Sequence, residues 1–239
     1  MERYKVRNLG VGAVEITIGI NRIFVDACNT INPLFKVRCG DILLFTHDDG
    51  DHFDPEHIPD IKGLDIIIIG PPSIVKPIIE RDKAVIDQII TMYSQNNSEP
   101  AVYVIHDIVI TCFSTPHFMK WKPIHNSYLI KHKCGNLYLT GDSYLTNQMK
   151  EQIGPIDFVV CNLVDEGFIT GVEDPRFAIH HHLSYLLNMM SAYQPQKIIG
   201  IHLLEFPGTV DSWVMKKLVT DYGFDAITIP QDVYETIEL

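Results

Sequence analysis

Asp41–Phe45 (DILLF) runs directly into Thr46–His52 (THDDGDH). The first five residues form a short apolar run of the kind buried as a strand. The seven that follow hold two imidazoles and three carboxylates. Carboxylates this dense repel one another unless cations neutralise them, and metal ions are the simplest neutralisers. His47 and Asp49 stand two apart, so on extended backbone they point the same way. Asp51 and His52 are adjacent and aim elsewhere, toward a second ion. A solvated acidic turn is the bland alternative, and a cluster this dense behind a buried strand argues against it.

Working outward, other short β-type runs are predicted at Val11–Ile20 and Asn21–Asp26, joined through Gly19, and at Leu64–Ile69, halted by Gly70–Pro71–Pro72. Further strands are expected at Val102–Ile105, Ile108–Phe113, Ser127–Lys131, Leu137–Thr140, Asp157–Val164, Lys197–His202 and Ala226–Ile229. Helical spacing predicts a helix over Arg81–Ser94, with Ile86, Ile89, Ile90 and Tyr93 facing the core. A second stripe is Leu183, Leu186, Leu187 and Met190. A third helix, capped by Asp211 and ended by Gly223, carries Met215, Leu218, Val219 and Tyr222. No Gly/Ser-rich linker, low-complexity tract or long repeat divides the chain. The expectation is an α+β fold over a single domain, 1–239, with two sheets between outer helices.

The chain has 239 residues, 46% hydrophobic and 21% charged, enough for a core without staples and outside the range of disorder. No run reaches the ~18 apolar residues of a membrane span, and the first residues lack the apolar core of a secretion signal. A net charge of −11 argues against a nucleic-acid partner. The five scattered cysteines read as reduced thiols of a cytoplasmic protein. A small-molecule substrate is the expected partner, and a homo-oligomer stays open.

His47-x-Asp49-x-Asp51-His52 resembles the HxHxDH signature of the metallo-β-lactamase superfamily. The resemblance continues through His117 in Ser114–His117 (STPH), Asp142 in Leu139–Ser143 (LTGDS) and His202 in Ile199–His202 (IGIH), and so covers nearly the whole chain. The spacing is most similar to the compact branch that includes ascorbate-phosphate lactonase-like proteins. It implies a four-layer αββα sandwich with a dinuclear site at the sheet edge. By resemblance, His47, Asp49 and His117 hold one divalent ion, Asp51, His52 and His202 the other, and Asp142 bridges them. Asp51 is also the catalytic candidate, orienting the attacking water. The implied activity is that of a metal-dependent hydrolase. A metal-bridging hydroxide would attack a small anionic ester, a phosphodiester or phosphorylated lactone. A diiron redox protein and a non-catalytic ligand-binding member are the alternatives.

The chain departs from the signature at Asp49, where the superfamily usually has histidine. The resemblance implies zinc first. Asp is a harder, anionic ligand and shifts preference toward manganese or iron. Flavodiiron proteins of the same superfamily carry a carboxylate there.

Outside the signature, His180, within the triplet His180–His182, is a candidate substrate contact. Trp121, between Lys120 and Lys122, is a second. His125 is a third, or a support that orients a ligand through its other ring nitrogen. Asp26 is expected to hold the ligand loop. His57, His106 and His132 read as surface or turn residues.

Overall fold

The computed structural model describes residues 2–29, 36–93, 99–118, 124–145, 149–163, 175–203 and 212–239. The first sheet contains β1 (Lys5–Gly10), β2 (Ala13–Ile18), β3 (Asn21–Val25), β4 (Asp41–Leu44), β5 (Ile67–Gly70), β6 (Ile89–Thr91) and β14 (Thr236–Glu238), in the order β14-β1-β2-β3-β4-β5-β6. The second contains β7 (Ala101–Ile105), β8 (Ile108–Ser114), β9 (Asn126–His132), β10 (Gly135–Leu139), β11 (Phe158–Asn162), β12 (Lys197–Ile201) and β13 (Ile227–Thr228), in the order β13-β12-β11-β10-β9-β8-β7. Four helices accompany them among the described residues: α1 (Pro72–Glu80), α2 (Lys150–Ile153), α3 (Pro175–Tyr193) and α4 (Ser212–Asp221).

Side-chain alternation explains the layers. Ile16, Ile23, Ile42 and Leu44 face Ile110, Tyr128, Ile130, Val160 and Ile199 between the sheets. The intervening residues point outward. Phe24, Leu43 and Ile68 meet Ile74 and Ile78 of α1. Val159, Cys161 and Ile198 meet Leu186 and Met189 of α3 and Met215 and Val219 of α4. Strands β3–β6 pair in parallel, as do β10–β13. Parallel strands covered on both faces read as unbroken apolar runs, which is why DILLF and DFVVCNLV were recognisable. Two sheets flanked by helices form the expected α+β, four-layer sandwich.

Several expectations are corrected. Among the described residues 81–93 the expected helix over Arg81–Ser94 does not form. Residues 86–88 make one 3-10 turn into the edge strand β6, and Ile86 is 69% exposed. Its place is taken by α1, which begins at Pro72: a proline at the first helical position loses no hydrogen bond and presets φ. On α3 the core-facing stripe is His182, Tyr185, Leu186, Met189 and Tyr193, with Leu187 turned outward. The histidine triplet lies inside this helix. On α4, Met215 and Val219 are buried as expected, Tyr222 is exposed, and Asp211 lies outside the described residues. The pairing of β14 with β1 is not visible in the sequence.

Candidate metal centre

Every signature residue follows the carboxyl end of a strand. His47, Asp49, Asp51 and His52 follow β4, His117 follows β8, Asp142 follows β10 and His202 follows β12. Four thus come from one sheet and three from the other. Hydrogen bonds lock the two sheet ends together there. The Asn126 N–H donates to Thr46 O (2.9 Å), and the Tyr128 hydroxyl donates to Phe45 O (2.7 Å). The Phe118 N–H donates to Asp142 O, holding the His117 segment against the Asp142 turn.

The donor atoms form two sets around one carboxylate. In the first, Asp49 Oδ2 is 3.4 Å from both His47 Nε2 and His117 Nε2, which are 3.2 Å apart. Asp142 Oδ2 completes it, 4.0 Å from His47 and 3.8 Å from His117. In the second, His52 Nε2 and His202 Nε2 are 3.1 Å apart, and Asp51 Oδ2 is 4.0 and 3.6 Å from them. Asp142 Oδ1 lies 3.4 Å from His52 and 3.9 Å from His202. Donors bonded at about 2.0–2.1 Å to one tetrahedral ion stand about 3.3–3.4 Å apart, so both sets have the spacing that a cation needs.

The ring tautomers point the same way. A carboxylate only accepts, so Asp26 Oδ2 takes the His52 Nδ1–H (2.9 Å) and the Thr46 hydroxyl hydrogen (2.6 Å). With its hydrogen spent, Thr46 Oγ1 accepts from His47 Nδ1–H (2.8 Å). Both histidines therefore present an Nε2 lone pair to the cluster. His117 Nε2 and His202 Nε2 stand opposite these lone pairs, at 3.2 and 3.1 Å, so with their own ring hydrogens on Nδ1 the four imidazoles fit divalent ions. Burial opposes charge on His52, but Asp142 and Asp26 raise its pKa well above the ordinary value. Burial likewise acts to raise Asp142, yet His52, His202 and His47 hold it well below the usual carboxylate range. Burial and neighbouring His52 push His47 down.

All seven sequence-predicted ligands meet in this cluster. Asp26 is buried and left-handed (φ 50°), and its Oδ1 also accepts the Thr46 N–H (2.8 Å), so it ties the ligand loop to β3. His125 is not placed to touch substrate. Its ring is buried behind the ligands, 5.0 Å from the His47 ring and 5.6 Å from His117, with Nδ1 on Thr115 Oγ1 (2.8 Å). His180 is exposed on α3. Its neighbour His181 instead meets the Tyr144 hydroxyl (2.9 Å), beside Phe118. Trp121 lies outside the described residues. His132, expected at the surface, is buried at the far end of β9, where its Nε2 pairs with Asp107 (2.9 Å).

Two residues escaped the sequence reading. Asn162, the buried last residue of β11, donates from Nδ2 to Asp142 Oδ1 (2.8 Å). An amide inside the apolar run DFVVCNLV was the available signal. Gly12 turns from β1 into β2 at φ +66°, and a Cβ there would lie 2.6 Å from His202 Cδ2 and 2.8 Å from His52 Cε1. Only glycine lets this turn close over the second donor set.

The sandwich with its site at the strand ends is a metallo-β-lactamase fold. It is similar to Igni18, a metallo hydrolase from Ignicoccus hospitalis (TM-score 0.68, 17% identity, 99% of this chain and 98% of that one). It is also similar to the metallo-β-lactamase fold protein YhfI from Bacillus subtilis (0.67, 12%, 100% of both chains). A third similar structure is CmlA, a diiron beta-hydroxylase from Streptomyces venezuelae (0.68, 14%, 100% of this chain and 55% of that one). The chain spans about half the length of the CmlA structures it matches. At these identities the likeness is one of fold. No protein-family model and no curated protein sequence matches the chain.

Proposed function

We propose that this chain is a metal-dependent hydrolase with two divalent ions, acting on a small anionic ester such as a phosphodiester or phosphorylated lactone. The observation that carries the reading is the pair of donor sets, each with two imidazoles and a carboxylate of its own, sharing Asp142. When bound, a pair of divalent ions supplies an acidified water and electrostatic stabilisation of developing negative charge. The protein's residues divide the remaining work. His47, His52, His117 and Asp142 are buried and hold position. The side chains of Asp51 and Asp49 are 25% and 18% exposed and form the open side. Asp51 is the more exposed, and its carboxylate orients water and accepts its proton. The small anionic substrate follows from the resemblance and from the positive charge that two ions bring. The reading takes the chain as a single cytoplasmic domain with reduced thiols, and all five cysteines are unpaired. No helix among the described residues is long and apolar enough to cross a membrane.

A second reading, a diiron redox protein, is favoured by Asp49, because a carboxylate-rich set suits iron or manganese better than zinc. The similarity to CmlA is in keeping with it. Metal analysis of protein purified without added metal, bis-p-nitrophenyl phosphate hydrolysis and oxygen uptake separate the two. Hydrolysis that needs metal and disappears in His52→Ala supports the first. Iron with oxygen uptake and no hydrolysis would overturn it in favour of the second.

A further inference from the structure

Asp142 must aim one oxygen at each donor set, and its own torsion does not enforce that, because the terminal sp3–sp2 rotation of aspartate is broad. Something outside the ligands has to fix the carboxylate plane. Asn162 is the group in place to do it. Its Nδ2 donates to Oδ1 at 2.8 Å, on the oxygen that faces His52 and His202. Asn162 is itself held. It ends β11 in parallel register with Ile201, its N–H donates to Thr140 Oγ1 (3.2 Å), and a Cβ on Gly12 would stand 3.2 Å from its Nδ2. The amide is walled in by the same turn that covers the second donor set.

The substitution at Asp49 makes this support matter more. With Asp49 in place of the usual histidine, each set has two imidazoles and one carboxylate of its own. Donor type no longer distinguishes the two ions. What remains unequal is position. The second set depends on Asp51, the more exposed of the two flanking carboxylates, and on the Asp142 oxygen that Asn162 holds.

We propose that Asn162 is a positioning residue that keeps Asp142 bridging, and so decides whether the ion between Asp51, His52 and His202 is retained. This rests on the two-ion reading above. Without the amide, the carboxylate turns toward the first set, and the second keeps only its own three donors.

Asn162→Leu removes the donor at similar size. Metal-free wild type and variant are titrated with Mn2+, following bound ion per chain and the electron paramagnetic resonance spectrum. Two ions sharing a carboxylate couple magnetically, whereas an isolated ion shows its own hyperfine pattern. The wild type is expected to bind two coupled ions. The variant is expected to keep one at its original affinity and to bind the other about 10–100-fold more weakly, the usual cost of losing an outer hydrogen bond at a metal site. Adding Asp51→Asn to Asn162→Leu is expected to cost no further tight ion. A variant that binds two coupled ions at wild-type affinity overturns the role of Asn162 and leaves the two-ion reading standing. A wild type that binds no ion overturns both. Thermal melts of the metal-free proteins check folding, and Asn162→Ala replaces the leucine variant if that one does not fold.

Discussion

Asp26 controls two histidines in two different donor sets, and Asp26→Asn tests that control with almost no change in volume. The carboxylate accepts three hydrogen bonds: the Thr46 N–H on Oδ1, and the Thr46 hydroxyl and His52 Nδ1–H on Oδ2. If the new amide nitrogen takes the Oδ1 place, it meets a buried N–H head on, a mismatch of about 1–3 kcal/mol. If it takes the Oδ2 place, the partners adapt. Thr46 and His52 both turn acceptor, and the Thr46 hydrogen swings to His47 Nδ1. That arrangement satisfies every group, but it moves the proton of both imidazoles to Nε2, where the lone pairs for the ions had been. The fold therefore loses mainly the charge assistance of its hydrogen bonds, about 1–3 kcal/mol, or about 2–12 °C in the metal-free melting temperature. Metal affinity falls further, by about 10–100-fold or more. Zinc competition against a chromophoric chelator gives the second number, and a thermal melt of chelator-dialysed protein gives the first. Wild-type zinc affinity in the variant would refute the tautomer relay. So would a metal-free variant that no longer folds, because Asp26 would then act on the fold and not on the rings.

Gly12→Ala puts a methyl 2.6 Å from His202 Cδ2 at a left-handed φ, so it should cost about 1–3 kcal/mol and shrink the stabilisation that zinc confers, read as melting temperature with and without the ion. Burial pushes the His182 imidazole down to about 3. Its folded pKa lies below its unfolded one, so its share of stability is present above about pH 6.5 and is lost as pH falls, by about 1.4 kcal/mol per unit. Between pH 6.5 and 5, metal-free wild type should therefore lose about 2 kcal/mol more than His182→Leu in urea unfolding, and equal losses would contradict the burial. Asp49→His restores the usual signature and should tighten zinc at the first set; indifference in the same chelator competition would place Asp49 outside the ligands.

The parts of this protein legible in its sequence are those written locally. β-Branched runs such as Ile66–Ile69 and Ile198–Ile201 read as strands because both faces are covered. The seven ligands were legible because His47–His52, His117, Asp142 and His202 together resemble a known signature, each segment coming after such a run. Errors arose where two periodicities overlap. Ile86, Ile89, Ile90 and Tyr93 match a helical stripe, yet Ile89 and Ile90 belong to an edge strand reached from a 3-10 turn. On α3 two neighbouring stripes compete, and the one that buries Tyr185 and Tyr193 wins. The remaining gaps concern partners distant in the chain. Asn162 acquires its role from Asp142, and Gly12 from His52 and His202. Neither pairing leaves a local pattern.

The pairing of β1 with β14 bears on how the chain reaches this state. β1 finds β2 at once, through a short turn, but its other edge waits for residues at the far end of the sequence, Lys5 opposite Glu238. Such a contact is slow to form, because the chain between must first be gathered in. Until then the first sheet exposes a row of unpaired amides and carbonyls beside Val6, an invitation to strands of other molecules. Self-association during refolding should therefore be a property of the unfinished protein, fading once its last strand has closed the edge.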